Sequence, residues 1–246
     1  MDSQTSRSLF RNQLFGALRP EDRALLGPEL EYVQLRERFI LEPPNKPVEH
    51  VYFIEHGVAS VVAVNADDIR LEAGVVGFEG MTGMAVVLGS LRSPHLTNMQ
   101  LAGDARRIRA DALRTALHNS PTLHHTLLKY AQAFMTQTAH TALANGRAKL
   151  EVRLARWILM AHDRMDGDEV PLTHEFLSVM LGVRRAGVTV ALHGFEKAGL
   201  IATRRGKITV TDRVGMERLA GCFYGVPEAE LRRLLSESVA GVPMPA

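Results

Sequence analysis

The sequence predicts an α+β chain: a strand-rich N-terminal half, one long helix, and a C-terminal helix-turn-helix with a small hairpin. Three observations predict it. Short β-branched runs broken by Gly, Pro, Asn and Asp fill the stretch from Val33 to about Ile108. A proline-poor, glycine-poor segment with helical periodicity then runs from Pro121 to about Asn145. Finally, Pro171 to Thr211 reads helix, glycine turn, helix, hairpin.

The elements follow in chain order. Leu9, Phe10, Leu14, Phe15 and Leu18 give a short apolar helix, and Arg19-Pro20-Glu21-Asp22 starts another. The strand-rich region is that of an antiparallel sandwich or barrel. Its turns are expected at Pro43-Pro44-Asn45, Glu55-His56-Gly57 and Asn65-Ala66-Asp67-Asp68. Asp111 to His118 forms a short helix, and Ser120-Pro121 caps the long one. Leu123, Leu127, Tyr130, Phe134 and Leu143 lie roughly along one side of it. Such a stripe serves either packing on the chain's own β-domain or a dimer seam. Its place between two domains favours the seam, with Leu123, Leu127, Tyr130 and Phe134 in it. Leu150 to Met165 is a further helix carrying Trp157.

In the C-terminal unit Thr173 caps the first helix, and Phe176, Leu177, Met180 and Leu181 form its apolar face. Gly182 supplies the turn. The second helix starts near Arg184, buries Val188, Leu192 and Phe195, and stops at Gly199. Arg205-Gly206 is the hairpin tip. A winged helix-turn-helix places its second helix in the DNA major groove. Between Arg184 and Lys207 the cations are Arg184, Arg185, Lys197, Arg204, Arg205 and Lys207, and the only acid is Glu196. Expected base readers are Arg185, Ala186, Thr189 and Val190. Expected phosphate contacts are Arg184, His193, Lys197, Arg204, Arg205 and Lys207.

Composition sets bounds. The chain has 246 residues, 46% hydrophobic and 23% charged, with a net charge of only +2, so the local clustering of cations carries more than the total. No apolar run is long enough to span a bilayer, and MDSQTSRSLF lacks a signal-peptide core, so a cytoplasmic protein is expected. The single cysteine, Cys222, excludes an internal disulfide and a cysteine-ligated iron–sulfur cluster within one chain; its apolar context suggests a buried thiol. No nucleophile–base pair, metal-ligand cluster, P-loop or dinucleotide loop is present, so neither catalytic residues nor a metal are expected. His50, His56 and His95 match no metal spacing.

The order of parts resembles the bacterial regulator family of the cyclic-AMP receptor protein and the fumarate-nitrate regulator. The resemblance is carried by FILEPPNKPVEHVYFIEHGVASVV, VGFEGMTGM, LGSLRSP and LARWILMAHDR, and most strongly by LTHEFLSVMLGVRRAGVTVALHGFEKAGLI. It spans about residues 10 to 225. It implies a cyclic-nucleotide-binding-like jelly-roll sensor over 1–119, a dimerisation helix over 120–147 and a winged helix-turn-helix over 148–225, leaving 226–246 as a tail. It further implies a homodimer that binds a pseudo-palindromic DNA site, engages RNA polymerase and responds to a small effector. The residues nearest the family's nucleotide contacts are Glu79, Arg92 and Ser93. The departures are specific: Phe78-Glu79 stands where Gly-Glu is expected, the stretch from Glu79 to Arg92 looks longer, and Ser93 precedes Pro94. They point away from a cyclic nucleotide and toward a different effector or none. In the second helix Ala186 and Val190 replace a carboxylate and an arginine, so the operator differs from the receptor's. The alternative function is an effector-binding module that acts through protein partners.

Overall fold

A computed structural model describes residues 10–239, with side chains through Ser236. Two short helices, α1 (Gln13–Ala17) and α2 (Pro20–Leu26), lead into the sheet strands β1 (Glu31–Leu35), β2 (Ile40–Glu42), β3 (His50–Val64) and β4 (Arg70–Val76). A one-turn helix α3 (Met84–Val87) precedes β5 (Leu96–Arg109). Then come α4 (Ala110–Asn119), α5 (Pro121–Arg147) and α6 (Leu150–His162). The last part holds β6 (Glu169–Val170), α7 (His174–Leu181), α8 (Arg185–Lys197), β7 (Ile201–Arg204), β8 (Lys207–Val210), α9 (Arg213–Ala220) and α10 (Val226–Val239).

The sensor sheet is antiparallel, in the order β1-β5-β3-β4, with β2 also on β5. β3 and β5 run 15 and 14 residues and are too long to stay flat. The expected turn at Glu55-His56-Gly57 is instead an irregularity inside β3. The register shifts there three times between Ile54 and Ala59, and Gly57 has φ 84°. A bulge bends the ribbon without ending it. The expected turns at 43–45 and 65–68 form, and Asn65 Oδ1 accepts from the backbone N–H groups of Asp67 and Ile69.

α5 starts as its residues dictate: the Ser120 hydroxyl accepts from Leu123 N at 3.2 Å, and Pro121 sits at the first helical position. It packs along the sensor. Leu123, Leu127 and Tyr130 join Leu14, Phe15, Phe53, Met81 and Leu113 in one core. Farther along, Gln137 accepts from Val75 N (2.6 Å) and donates to Val75 O (3.2 Å). β4 is an edge strand, and this amide satisfies its open backbone. Gly80 is required where the Tyr130 phenol crosses the backbone, because a Cβ there would collide with the ring.

Two expectations change. The C-terminal tail is in part a helix, since α10 packs along α5 and touches α1, with Leu231 and Leu235 against the sensor core. The remaining tail residues, 240–246, lie outside the described residues. Cys222 is exposed, because it falls on the short turn Gly221–Phe223 between α9 and α10.

Candidate nucleic-acid interface

α7 and α8 meet at 113°, within the range of a helix-turn-helix. Thr173 Oγ1 accepts from Phe176 N at 3.2 Å and caps α7. Gly182 closes that helix at φ 62°, a left-handed conformation that a side chain disfavours. α8 then divides cleanly. Val188, Ala191, Leu192 and Phe195 are buried, packed with Leu154, Ile158, Leu177 and Ile208. At about 100° per residue, Arg185, Ala186, Thr189, Val190, His193 and Lys197 occupy an arc of about 140° on the opposite side. Arg184, Arg185, Ala186, His193 and Lys197 are exposed, and Val190 is 71% exposed. A valine so open on an otherwise polar face is suited to a thymine methyl.

The hairpin of β7 and β8 places Arg204, Arg205 and Lys207 in solvent around Gly206, and β6 extends it to three strands. Glu196, the one acid of the stretch, accepts from Thr203 N (2.8 Å) and from the Thr203 hydroxyl (2.5 Å). These hydrogen bonds hold its carboxyl below the usual range and tie the end of α8 to the hairpin. Glu196 is thus a brace and leaves the surface strongly basic.

Two expected contacts are already engaged. Thr189 is half-buried; its hydroxyl donates to the Arg185 carbonyl (3.1 Å) and pairs with His174 Nδ1 (3.0 Å). These bonds hold the Thr189 hydroxyl between α7 and α8, whereas Arg185, Ala186 and Val190 stand exposed. Lys207 Nζ lies 2.7 Å from Glu169 Oε2, an exposed ion pair that a phosphate must compete with. His174 escaped the sequence reading, because only the fold brings α7 against α8.

The comparisons agree with this geometry. A family described as the Crp-like helix-turn-helix domain matches residues 152–219. The fold is similar to FixK2 from Bradyrhizobium japonicum, with TM-score 0.69 and 15% identity over 78% of this chain and 98% of that one. It is also similar to CLP from Xanthomonas campestris, described as a c-di-GMP responsive global regulator, with TM-score 0.63 and 15% identity over 78% of this chain and 99% of that one. A CRP-family transcriptional regulator of Thermus thermophilus, TTHB099, gives TM-score 0.62 and 19% identity over 77% and 96% of the two chains. No curated protein sequence matches the chain.

Residues 152–219 form a Crp-like helix-turn-helix domain, and the chain shares the fold of these solved regulators.

Elsewhere the residues expected from the Crp/Fnr resemblance are used differently. Glu79 is buried, and its Oε1 accepts from Arg164 Nε (2.8 Å), Arg164 Nη2 (2.7 Å) and Gly77 N (3.1 Å). Arg164 follows α6, so this buried ion pair joins the sensor to the DNA-binding part. Burial opposes the Arg164 charge, but Glu79 foremost, with Asp163 and Glu228, holds its pKa above the ordinary value. Arg92 is exposed on the loop before β5 and lines neither cavity that Glu79 lines. Ser93 turns its hydroxyl to the His95 N–H at 3.1 Å. The expectation that Glu79 and Arg92 share one pocket is corrected: Glu79 Oε1 is committed to Arg164 across the junction.

The residues expected in a dimer seam are used within the chain. Leu123, Leu127 and Tyr130 are buried in the chain's own core, and Phe134 packs on the sheet beside Gly74. α5 leaves exposed Pro121, His125, Leu128, Gln132, Met135, Ala139, Ala142, Leu143, Gly146 and Arg147, and all of these but Leu143 and Arg147 are alternately four and three residues apart. That spacing is a heptad pattern. Leu128 is 39% exposed and Met135 is 59% exposed.

A second junction lies at Glu72 on β4. Its carboxylate receives the Ser60 hydroxyl from β3 and Trp157 Nε1 (2.5 Å) from α6. Complete burial raises its pKa to about 7, against the lowering pull of those two donors and of Arg156 and Arg164. Nothing local in the sequence marks Glu72, Arg164 or Trp157 as partners.

Proposed function

We propose that this chain regulates transcription in the cytoplasm as a homodimer on a pseudo-palindromic DNA site. The exposed basic arc of α8, set opposite a fully buried face, carries the reading. Arg185 takes a guanine edge, Ala186 and Val190 lie against neighbouring bases, and Arg184, His193, Lys197, Arg204, Arg205 and Lys207 hold phosphates. The two copies meet along the exposed heptad of α5, which sets their half-sites about one helical turn, ~34 Å, apart. A small effector other than a cyclic nucleotide biases the arrangement, and RNA polymerase is the partner at the promoter. No reaction is assigned to the chain, and neither a metal nor a cofactor.

Selection of binding sites from random duplexes, followed by footprinting, tests this reading. Two symmetric protected half-sites are expected, with log affinity falling steeply in log salt. An asymmetric single half-site overturns the dimeric model of recognition, and salt-insensitive or absent DNA binding overturns the function. In that event the basic face serves a protein partner.

A further inference from the structure

The cavity best placed to couple the domains lies at their junction. It measures about 290 Å³ and is lined by Gln13, Phe78 and Glu79 of the sensor, Asp163, Arg164, Arg213 and Tyr224 of the DNA-binding part, and α10. That is at the small end of ligand pockets, which run about 300–1,000 Å³ and favour domain interfaces.

Its polar groups divide into spent and free. Arg213 is spent: its nitrogens donate to Glu217, Asp163, the Tyr224 hydroxyl and His162. Asp163 is spent on Arg213 and Tyr224. Arg164 is spent on Glu79 and the Met160 carbonyl. Three groups remain among the described residues. Glu79 Oε2 is buried without a partner on a residue only 8% exposed. Glu228, on α10, uses Oε2 to accept from Gly225 N (3.0 Å), leaving Oε1. Arg232, one turn on, is exposed at the rim and has no ion-pair partner. Phe78 and Leu231 add apolar wall. One buried and one half-buried carboxylate oxygen call for an ammonium, and a free guanidinium at the mouth calls for a carboxylate.

We propose that this cleft is an effector site for a free α-amino acid with a hydrocarbon side chain. Its ammonium meets Glu79 and Glu228, its carboxylate meets Arg232, and its side chain lies on Phe78 and Leu231. This rests on the regulator reading and moves the effector from the β-domain to the junction. A ligand touching α10, the sensor and the loop after α6 together favours one domain orientation by its differential affinity.

The test is thermal melting and calorimetry of the full chain with each common L-amino acid, its N-acetyl form, cyclic AMP and cyclic GMP. At least one aliphatic or aromatic amino acid raises Tm saturably, and its N-acetyl form does not. Glu228→Gln and Arg232→Ala, both off the core and checked for native helix content, each weaken that binding about tenfold or more. The proposal is overturned if no free amino acid binds, if binding survives both substitutions, or if a cyclic nucleotide binds through Arg92 instead. DNA binding is scored separately by mobility shift, so failure here leaves the regulator reading standing, and failure there does not remove a bound amino acid.

Discussion

At the scale of single residues, Arg185 and Glu72 make opposite points. Arg185 sits at the first turn of α8 with an exposed guanidinium, where two donors match the O6 and N7 of one guanine. Arg185→Ala is expected to lose about 1–3 kcal/mol on the selected site and relax preference at one base pair. Arg184→Ala, at the extended N-cap just before α8, is expected to weaken selected and random DNA alike and to lower the salt slope by about 0.9. Selections with both variants check this; an unchanged base preference for Arg185→Ala excludes its reading role. Glu72 is legible only in three dimensions. Its carboxyl titrates at about 7 when folded and near an ordinary value when unfolded, so the folded state holds the proton more tightly. The resulting stability is complete below about pH 4.5 and is lost as pH rises through about 7, up to about 3 kcal/mol in all. Denaturant titrations across that window are expected to show less of this slope in Glu72→Gln. The fluorescence of Trp157, the sole tryptophan, is expected to follow the same titration in the parent protein.

At the scale of elements, α5 carries one stripe that the chain buries itself and another that it leaves exposed. Its stripe of Leu123, Leu127 and Tyr130 was legible from spacing, but spacing does not say which surface receives it. The sensor core took that stripe because Leu14, Phe53, Met81 and Leu113 already present an apolar face to it. The proposed seam therefore rests on the weaker exposed pattern of Leu128, Gln132, Met135, Ala139 and Ala142. Leu128→Glu with Met135→Glu is expected to give folded monomers in sedimentation, because the charges face each other across the two-fold axis. Leu127→Glu is expected to unfold the chain instead, since a charge would be buried unpaired. A double variant that stays dimeric rules out this seam. In the winged unit, by contrast, nearly every local signal was sufficient. Thr173, Gly182, the period of Val188, Leu192 and Phe195, and Gly206 all act within a few residues of themselves.

At the scale of the whole molecule, the two halves are joined by more than the α5–α6 link. Val58, Val75 and Leu101 of the sensor share a core with α6, α7 and α8. Arg164 reaches Glu79, Arg11 holds Asp166, and α10 returns to α1 and α5. Removing one member of the buried Glu79–Arg164 pair leaves an uncompensated charge, so Arg164→Ala is expected to lose about 3–5 kcal/mol in chemical denaturation. A loss below about 1 kcal/mol would show that the pair does not hold the domains together.

The sequence by itself determined the order of parts, the helix-turn-helix, the basic hairpin and the absence of a cysteine-built cluster. Those features depend on capping, turn chemistry, periodicity and composition, all written within short windows of chain. The tertiary structure alone decided that Glu79 pairs with Arg164 rather than facing Arg92, that α5 turns Leu123, Leu127 and Tyr130 inward, and that Val226–Val239 folds back as α10. Each of those outcomes is a competition between surfaces far apart in sequence, and burial awards a face to whichever partner removes most apolar area from water while pairing its charges.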